Sequence, residues 1–242
     1  MIFGILSWLA WLLIGRKYGY DHEDTIDWWV PLLGLISGKT EWIIQNRPLW
    51  FLCCLVSLDW LYWIVNHIRS KIWMWIVITC IACIGCCSGY YHLFGYWRLN
   101  TSMIVLPLYA LGAENKELII QKAKTCSYIS LIATMILAIL VIIVGYFYNS
   151  DFDLSLADIG NPFLFYSTSL AVILLWATIS ILCDRLFGRL RILSYIGQNT
   201  LLILCAHIPV FGMIKGIALL CHVSLGFFEQ FRDAYVYGRE LL

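Results

Sequence analysis

The chain has 242 residues, of which 62% are hydrophobic and only 13% charged, and its net charge is +1; its mean hydropathy is +0.82. Soluble domains are about 45–50% apolar and about 25% charged, and one core of this size cannot hide so much apolar surface. The net charge decides little, and the sequence shows neither a nucleic-acid footprint nor an acidic tail; a bilayer is the solvent that suits so apolar a chain.

A spanning helix needs about 20 apolar residues, with a range of roughly 17–25. The pattern predicts an all-α, polytopic transmembrane helix bundle of about seven spans, in a single membrane domain covering 1–242. The expected spans are 2–14, 49–66, 73–91, 102–113, 126–148, 162–183 and 200–223. The first run is short for a span, and it lacks the basic n-region and small-residue cleavage site of a signal peptide. Segment 15–48 reads as a long loop of mixed charge. It leads into Asn46-Arg47-Pro48-Leu49-Trp50 at the water-side entrance of the next helix. Pro48 suits a first helical turn, where its missing N–H costs little. The planar fork of Arg47 suits a phosphate or a carboxylate; Arg47 with Trp50 equally suits an interfacial anchor. Asp59 lies two turns deeper. A carboxylate at membrane depth is costly and must find a partner, either a cation or a hydroxyl.

Cys80, Cys83, Cys86 and Cys87 recur at spacings of three and four and so share a helix face. Structural zinc needs four converging ligands, commonly from separated pairs, so these read as small apolar residues and no metal is expected. The run 102–113 is short and contains Pro107, which suits a tilted or partly re-entrant helix packed against protein. Three connections are basic: 67–71 with Arg69 and Lys71, 114–124 with Lys116, Lys122 and Lys124, and 184–191 with Arg185, Arg189 and Arg191. Strict alternation puts all three on one side, while 149–161, with Asp151, Asp153 and Asp158, falls on the other. The excess of Lys and Arg on cytoplasmic loops then places the N-terminus and the basic loops inside. Asn199 or Thr200 could cap the last helix. His207 sits seven residues into that helix, about 10 Å from its start. An imidazole there can act as a general base, a ligand or a helix–helix hydrogen-bond partner.

Four pieces of the chain occur in a familiar order. Asn46-Arg47-Pro48-Leu49-Trp50-Phe51-Leu52 with Asp59 resembles the Arg-Pro-x-Trp-Phe-Leu entry and in-helix acid of acyltransferase family 3, which comprises integral-membrane acyltransferases. Leu106-Pro107-Leu108-Tyr109-Ala110-Leu111-Gly112 is similar to its short apolar helix ending in Leu-Gly. Gly160-Asn161-Pro162 resembles its Gly-Asn-Pro helix start, and Gly197-Gln198-Asn199-Thr200 with His207-Ile208-Pro209 its closing segment. The resemblance is strongest over 45–212 and nearest to the fucose O-acetylase-like branch. The family usually has about ten spans, and its first helices carry a catalytic histidine and an early basic motif. Neither is recognisable here, so the chain is expected to begin inside the family domain, lacking the N-terminal helices.

The resemblance implies transfer of an acyl group, most often acetyl from acetyl-CoA, to a sugar hydroxyl of a surface glycan. It implies His207 and Arg47 as catalytic groups, and Asn199, Asp59 and Trp50 as substrate-binding ones. Acetyl-CoA would be the donor substrate, with no resident cofactor. The expected partners are the lipid bilayer, the donor and the glycan acceptor, with a membrane partner or homo-oligomer as a further expectation and no nucleic acid. The expected location is a bacterial inner membrane. Two other classes stay open at this point: a transporter or flippase for a polar or lipid-linked substrate, whose mark is inverted repeats or paired broken helices, and a non-catalytic membrane subunit.

Overall fold

In hydrocarbon every backbone N–H and C=O must find its partner within the protein, which favours helices for apolar runs of this length. The structure, a computed structural model, describes residues 2–15, 27–39, 42–43, 48–91, 93, 96–150, 152–188 and 190–220. Its helices are α1 (Ile2–Ala10), which runs into a wider turn over Trp11–Gly15, α2 (Val30–Ser37), α3 (Trp50–Asn66), α4 (Lys71–Tyr90), α5 (Leu99–Thr125), α6 (Tyr128–Tyr148), α7 (Pro162–Phe187), α8 (Arg191–Gln198) and α9 (Thr200–Leu220). Among the described residues, α4, α6 and α7 are long and apolar enough to cross a membrane. The runs expected at 2–14 and 49–66 form shorter apolar helices. Segment 15–48, read as a loop, contains α2.

One expectation is corrected outright. The short helix at 102–113 and the basic loop at 114–124 are a single helix, the 27-residue α5. The segment Glu114–Thr125 consists largely of Glu, Lys, Leu, Gln and Ala, with no Gly or Pro to stop propagation. Charge alone suggested a loop there; helix propensity carried the helix through it.

The chain divides into two units, one holding Ser37–Lys39 with Trp50–Gln198, the other Met1–Ile36, Thr40–Leu49 and Asn199–Leu242. In the first, α5 packs against both α3 and α4. The buried face of α4 runs Met74, Ile78, Ala82, Gly85, Gly89, at spacings of three and four. Leu58 and Val65 of α3, Met74 and Ile78 of α4, and Leu106 and Ala110 of α5 form one apolar cluster. Gly85 permits the approach of α5: a Cβ there would stand 2.8 Å from Met103 Cβ and 3.0 Å from the Ile104 nitrogen. Pro107 lies inside α5, where it removes one backbone donor and favours a kink. Close by, the Tyr166 hydroxyl donates to the Ile104 carbonyl at 2.7 Å, tying α7 to this stretch.

Helices α6 and α7 form the other close pair of this unit. The buried residues of α6, Leu131, Ala138 and Gly145, repeat every seven positions; those of α7 are Phe165, Ala171 and Thr178. A seven-residue repeat is the seam of coiled-coil-like packing, and small residues along it let backbones approach without a void. The Thr168 side chain occupies the space a side chain at Gly145 would need. Ser127 starts α6, its hydroxyl accepting from the Ser130 N–H at 3.2 Å. The turn between the pair is fixed by Asn149, whose amide donates to the Ile159 carbonyl at 3.1 Å and whose Oδ1 accepts from the Asn161 N–H at 2.8 Å. Gly160 has φ +58°, a conformation cheap for glycine alone. Asn161 Oδ1 then caps α7, accepting from Phe163 N–H at 3.0 Å and Leu164 N–H at 3.3 Å. Pro162 follows at the first helical position. The Gly160-Asn161-Pro162 motif is therefore a complete helix start.

In the second unit α1 packs on α9. Trp8 Nε1 donates to the Trp28 carbonyl at 2.8 Å, and Gly34 of α2 lies against the backbone of Trp42.

Candidate functional site

Ionisable and hydroxyl side chains placed among apolar helices are the groups most able to do chemistry in such a chain. In the larger unit they form a connected set between α3 and α5. Tyr109 of α5 donates its hydroxyl to Asp59 Oδ1 of α3 at 2.6 Å. In the other direction, Tyr62 of α3 donates to Glu114 Oε1 of α5 at 3.3 Å. The two phenol rings meet edge to face, with centroids 5.2 Å apart. Each helix thus gives one phenol and one carboxylate, and each carboxylate accepts from the other helix's phenol. Lys71, at the start of α4, closes the far end with a 2.7 Å ion pair to Glu114 Oε2. The hydrogen bond from Lys71 holds the Glu114 carboxyl below the usual carboxylate range.

Asp59 therefore meets a hydroxyl, one of the two partners expected of it. It remains exposed, and so do Trp60 and Trp63 beside it. Trp63 lies one turn beyond Asp59 on the same face, and His67 one turn further. The His67 and Trp63 rings are 4.5 Å apart, and His67 Nδ1 donates to the Trp63 carbonyl at 2.7 Å. A carbonyl can only accept, so this bond puts the proton on Nδ1. Trp50 begins α3, half-buried, with its ring edge-on to Phe51. Nine residues separate Trp50 from Asp59, about half a turn around the helix, so the two do not share a face.

A second polar group surrounds the start of α5. Arg98 is only 5% exposed, and both it and Trp97 adopt left-handed backbone, with φ +53° and +56°. Such conformations cost a non-glycine residue roughly 1–2 kcal/mol. Side chains from α3 and α5 hold this segment. Ser57 donates to the Trp97 carbonyl at 3.0 Å, and the fully buried Ser102 hydroxyl lies 2.9 Å from the Cys54 carbonyl and 3.0 Å from that of Arg98. Gly38, itself at φ +69°, lies against Trp97 where a side chain would clash.

In the smaller unit, His207 is half-buried in α9. Its Nδ1 lies 2.8 Å from the Leu204 carbonyl one turn back and donates to it. Neutral imidazole then carries its lone pair on Nε2, the atom a general base uses. The ring packs edge-on against Phe211, centroids 6.2 Å apart. Asn199 directly precedes α9, and its carbonyl accepts the Ile203 N–H at 3.0 Å. Eight residues, about 12 Å along the axis, separate it from His207. Arg47 lies outside the described residues.

Sequence reasoning singled out Asp59 and His207 but not Tyr109, Tyr62, Glu114 or Lys71 as a set. In the sequence Tyr109 stands within the apolar run Leu106–Gly112. The one available signal was the requirement that Asp59 find a donor. Among the described residues, no three His, Cys, Asp or Glu side chains converge in a way that could hold a metal.

No curated protein and no solved structure matches the chain. The family model for acyltransferase family 3, described as an acyltransferase domain, matches residues 1–225. That span takes in the Arg47–Asp59 entry, the α5 helix with Pro107, the Gly160-Asn161-Pro162 helix start and the segment ending at His207. A match of this extent on a chain built of apolar helices identifies a membrane acyltransferase, and the chain belongs to acyltransferase family 3.

Proposed function

We propose that the chain is a membrane-bound O-acyltransferase that moves acetyl from acetyl-CoA to a sugar hydroxyl of a surface glycan, in the manner of the fucose O-acetylase-like branch. The observation that carries this reading is the family match across residues 1–225, supported by long apolar helices. About seven crossings, with the N-terminus and the basic connections on the cytoplasmic side of a bacterial inner membrane, fit the charge pattern.

In this reading the acceptor hydroxyl gives up its proton to a base as its oxygen attacks the thioester carbonyl. The C–S bond then breaks and the departing CoA sulfur takes a proton. His207 is the proton-handling group of this chain, through Nε2. Arg47 binds an anionic part of the donor or acceptor, for which its bidentate fork suits phosphate. Asn199, Asp59 and Trp50 hold the acceptor and donor in place. Water competes as acceptor, and the apolar helices serve to exclude it.

The test is made in the source cell, with glycan O-acetylation read by NMR. Deleting the gene should remove the ester signals, and restoring it with His207→Ala should leave transfer about 10²- to 10⁴-fold lower. Unchanged O-acetylation on deletion would refute the function. Unchanged O-acetylation with His207→Ala would remove His207 from the mechanism.

A further inference from the structure

Asp59 lies near the middle of the 17-residue α3. Its carboxylate is exposed, among Val56, Trp60, Trp63 and Ile64, which are exposed as well. An ionised carboxylate turned toward acyl chains is unfavourable, and acids at membrane depth as a rule face a polar path or a ligand. Packing does not explain Asp59, because the apolar cluster of α3 lies around Leu58 and Val65. What the protein does with Asp59 is fix its position. Tyr109 donates to Oδ1 at 2.6 Å, and the Tyr109 ring is itself braced edge-on by Tyr62, whose hydroxyl is anchored on Glu114, which Lys71 holds in turn. Side chains from three helices are thus committed to orienting one carboxylate.

A carboxylate offers about four acceptor positions on its two oxygens. Tyr109 occupies one of them, which leaves Oδ2 to take further hydroxyl donors. One turn away on the same face stands the Trp63 ring, 64% exposed, with the His67 ring packed against it at 4.5 Å. A fixed carboxylate acceptor next to a braced, open indole face is the pairing that suits a polyhydroxylated ring. Its hydroxyls donate to the carboxylate and its C–H face lies on the aromatic surface, which has an apolar body and negative potential.

Resting on the acyltransferase reading above, we propose that Asp59 and Trp63 form the subsite that holds the sugar acceptor. Tyr109 is its positioning residue, setting the Asp59 carboxylate without touching the substrate. The subsite recognises vicinal hydroxyls of a sugar ring and makes no contact with the acyl donor.

The experiment uses the full chain in proteoliposomes, with [acetyl-14C]acetyl-CoA as donor. The acceptor probe is the source cell's surface polysaccharide, stripped of its esters by mild alkali. CoA release is read with a thiol reagent and transfer by label in the polysaccharide. Tyr109→Phe, which releases the Asp59 carboxylate from its hydrogen bond, should raise the acceptor concentration for half-maximal transfer about tenfold, and Trp63→Leu, which removes the ring face, about three- to tenfold, with the KM for acetyl-CoA unchanged and both variants folded at the assay temperature. If acceptor and donor KM move together, or if the acceptor KM does not move, the subsite is refuted. Absence of CoA release by the wild-type chain would sink the acyl-transfer reading instead, and a readout independent of activity then decides the subsite. Dicyclohexylcarbodiimide modifies carboxyls in apolar surroundings, and its attachment to Asp59 is read by peptide mass. The polysaccharide should slow that labelling at least severalfold in the wild type, and several times more of it should be needed for the same protection in Trp63→Leu; equal labelling with and without polysaccharide in the wild type overturns the proposal.

Discussion

Replacing Gly85 by Val should separate α4 from α5. A Cβ at position 85 would lie 2.8 Å from Met103 Cβ and 3.0 Å from the Ile104 nitrogen, whereas carbon atoms in contact rest about 3.5–4.0 Å apart. The seam must therefore open by roughly 1 Å before the two further methyl groups of Val are placed, and a gap of that size forfeits a quarter to a half of each contact it stretches. The cluster of Met74, Ile78, Leu106 and Ala110 spans the same seam. Overpacking of this kind costs about 1–3 kcal/mol, while the better helix propensity of Val returns only a few tenths. A net loss of about 2 kcal/mol lowers the melting temperature by roughly 4–8 °C for a chain of this size. The assay is thermal unfolding in detergent with a thiol-reactive dye: the buried Cys54 thiol becomes reactive on unfolding, above a folded-state baseline set by the exposed Cys80, Cys83 and Cys87. Gly112 of α5 supplies the control: no atom of the described residues lies within 4 Å of a Cβ placed there. Gly112→Val should leave the melting temperature unchanged or slightly raised. Equal shifts for the two variants would show that the close approach at Gly85 does not limit stability and would refute the reasoning.

Asn161→Ala should cost about 1 kcal/mol by removing the α7 cap, seen as a lower melting temperature; Asn161→Asp, which keeps the acceptor oxygen, should retain most of the stability. The Lys71–Glu114 pair carries a pH signature. The Glu114 carboxyl is held below its ordinary range by Lys71, so its contribution is whole above the ordinary glutamate pKa and is lost as the pH falls through the lowered value. The melting difference between the wild type and Lys71→Met should therefore be small but measurable at neutral pH and disappear in acid. It should also shrink in high salt, because Lys71 is 79% exposed. A difference that grew on acidification would contradict the assignment.

Particular residues show what one sequence can and cannot carry. Helices α6 and α7 were legible because their apolar runs are long and uninterrupted, and length against bilayer thickness is a local property. The start of α7 was legible through the resemblance of Gly160-Asn161-Pro162 to a family helix start, an entry that Asn161 and Pro162 also suit by their own backbone chemistry. The continuation of α5 to Thr125 was not, because its charges suit a loop while its Glu, Lys, Gln and Ala propagate a helix just as well. Asp59 announced a need for a partner, but Tyr109 lies 50 residues away in sequence, and nothing local to either residue names the other. The Tyr62–Glu114 bond, over 52 residues, was hidden for the same reason. His207 was legible as a polar group in an apolar helix; that its Nδ1 is spent on the Leu204 carbonyl depends on a rotamer that the sequence does not carry.

Acyl transfer by this chain in a membrane is tested by counting both products. Purified chain in proteoliposomes is given acetyl-CoA labelled with 14C in the acetyl group, together with de-esterified surface polysaccharide. Released CoA and polysaccharide-bound 14C are counted over time. One free CoA thiol is expected for each acetyl ester formed on the polysaccharide, with both signals falling together in His207→Ala. Intact acetyl-CoA and unlabelled polysaccharide, under conditions where the reconstituted chain is folded by the melting assay, would contradict acyl transfer by this chain.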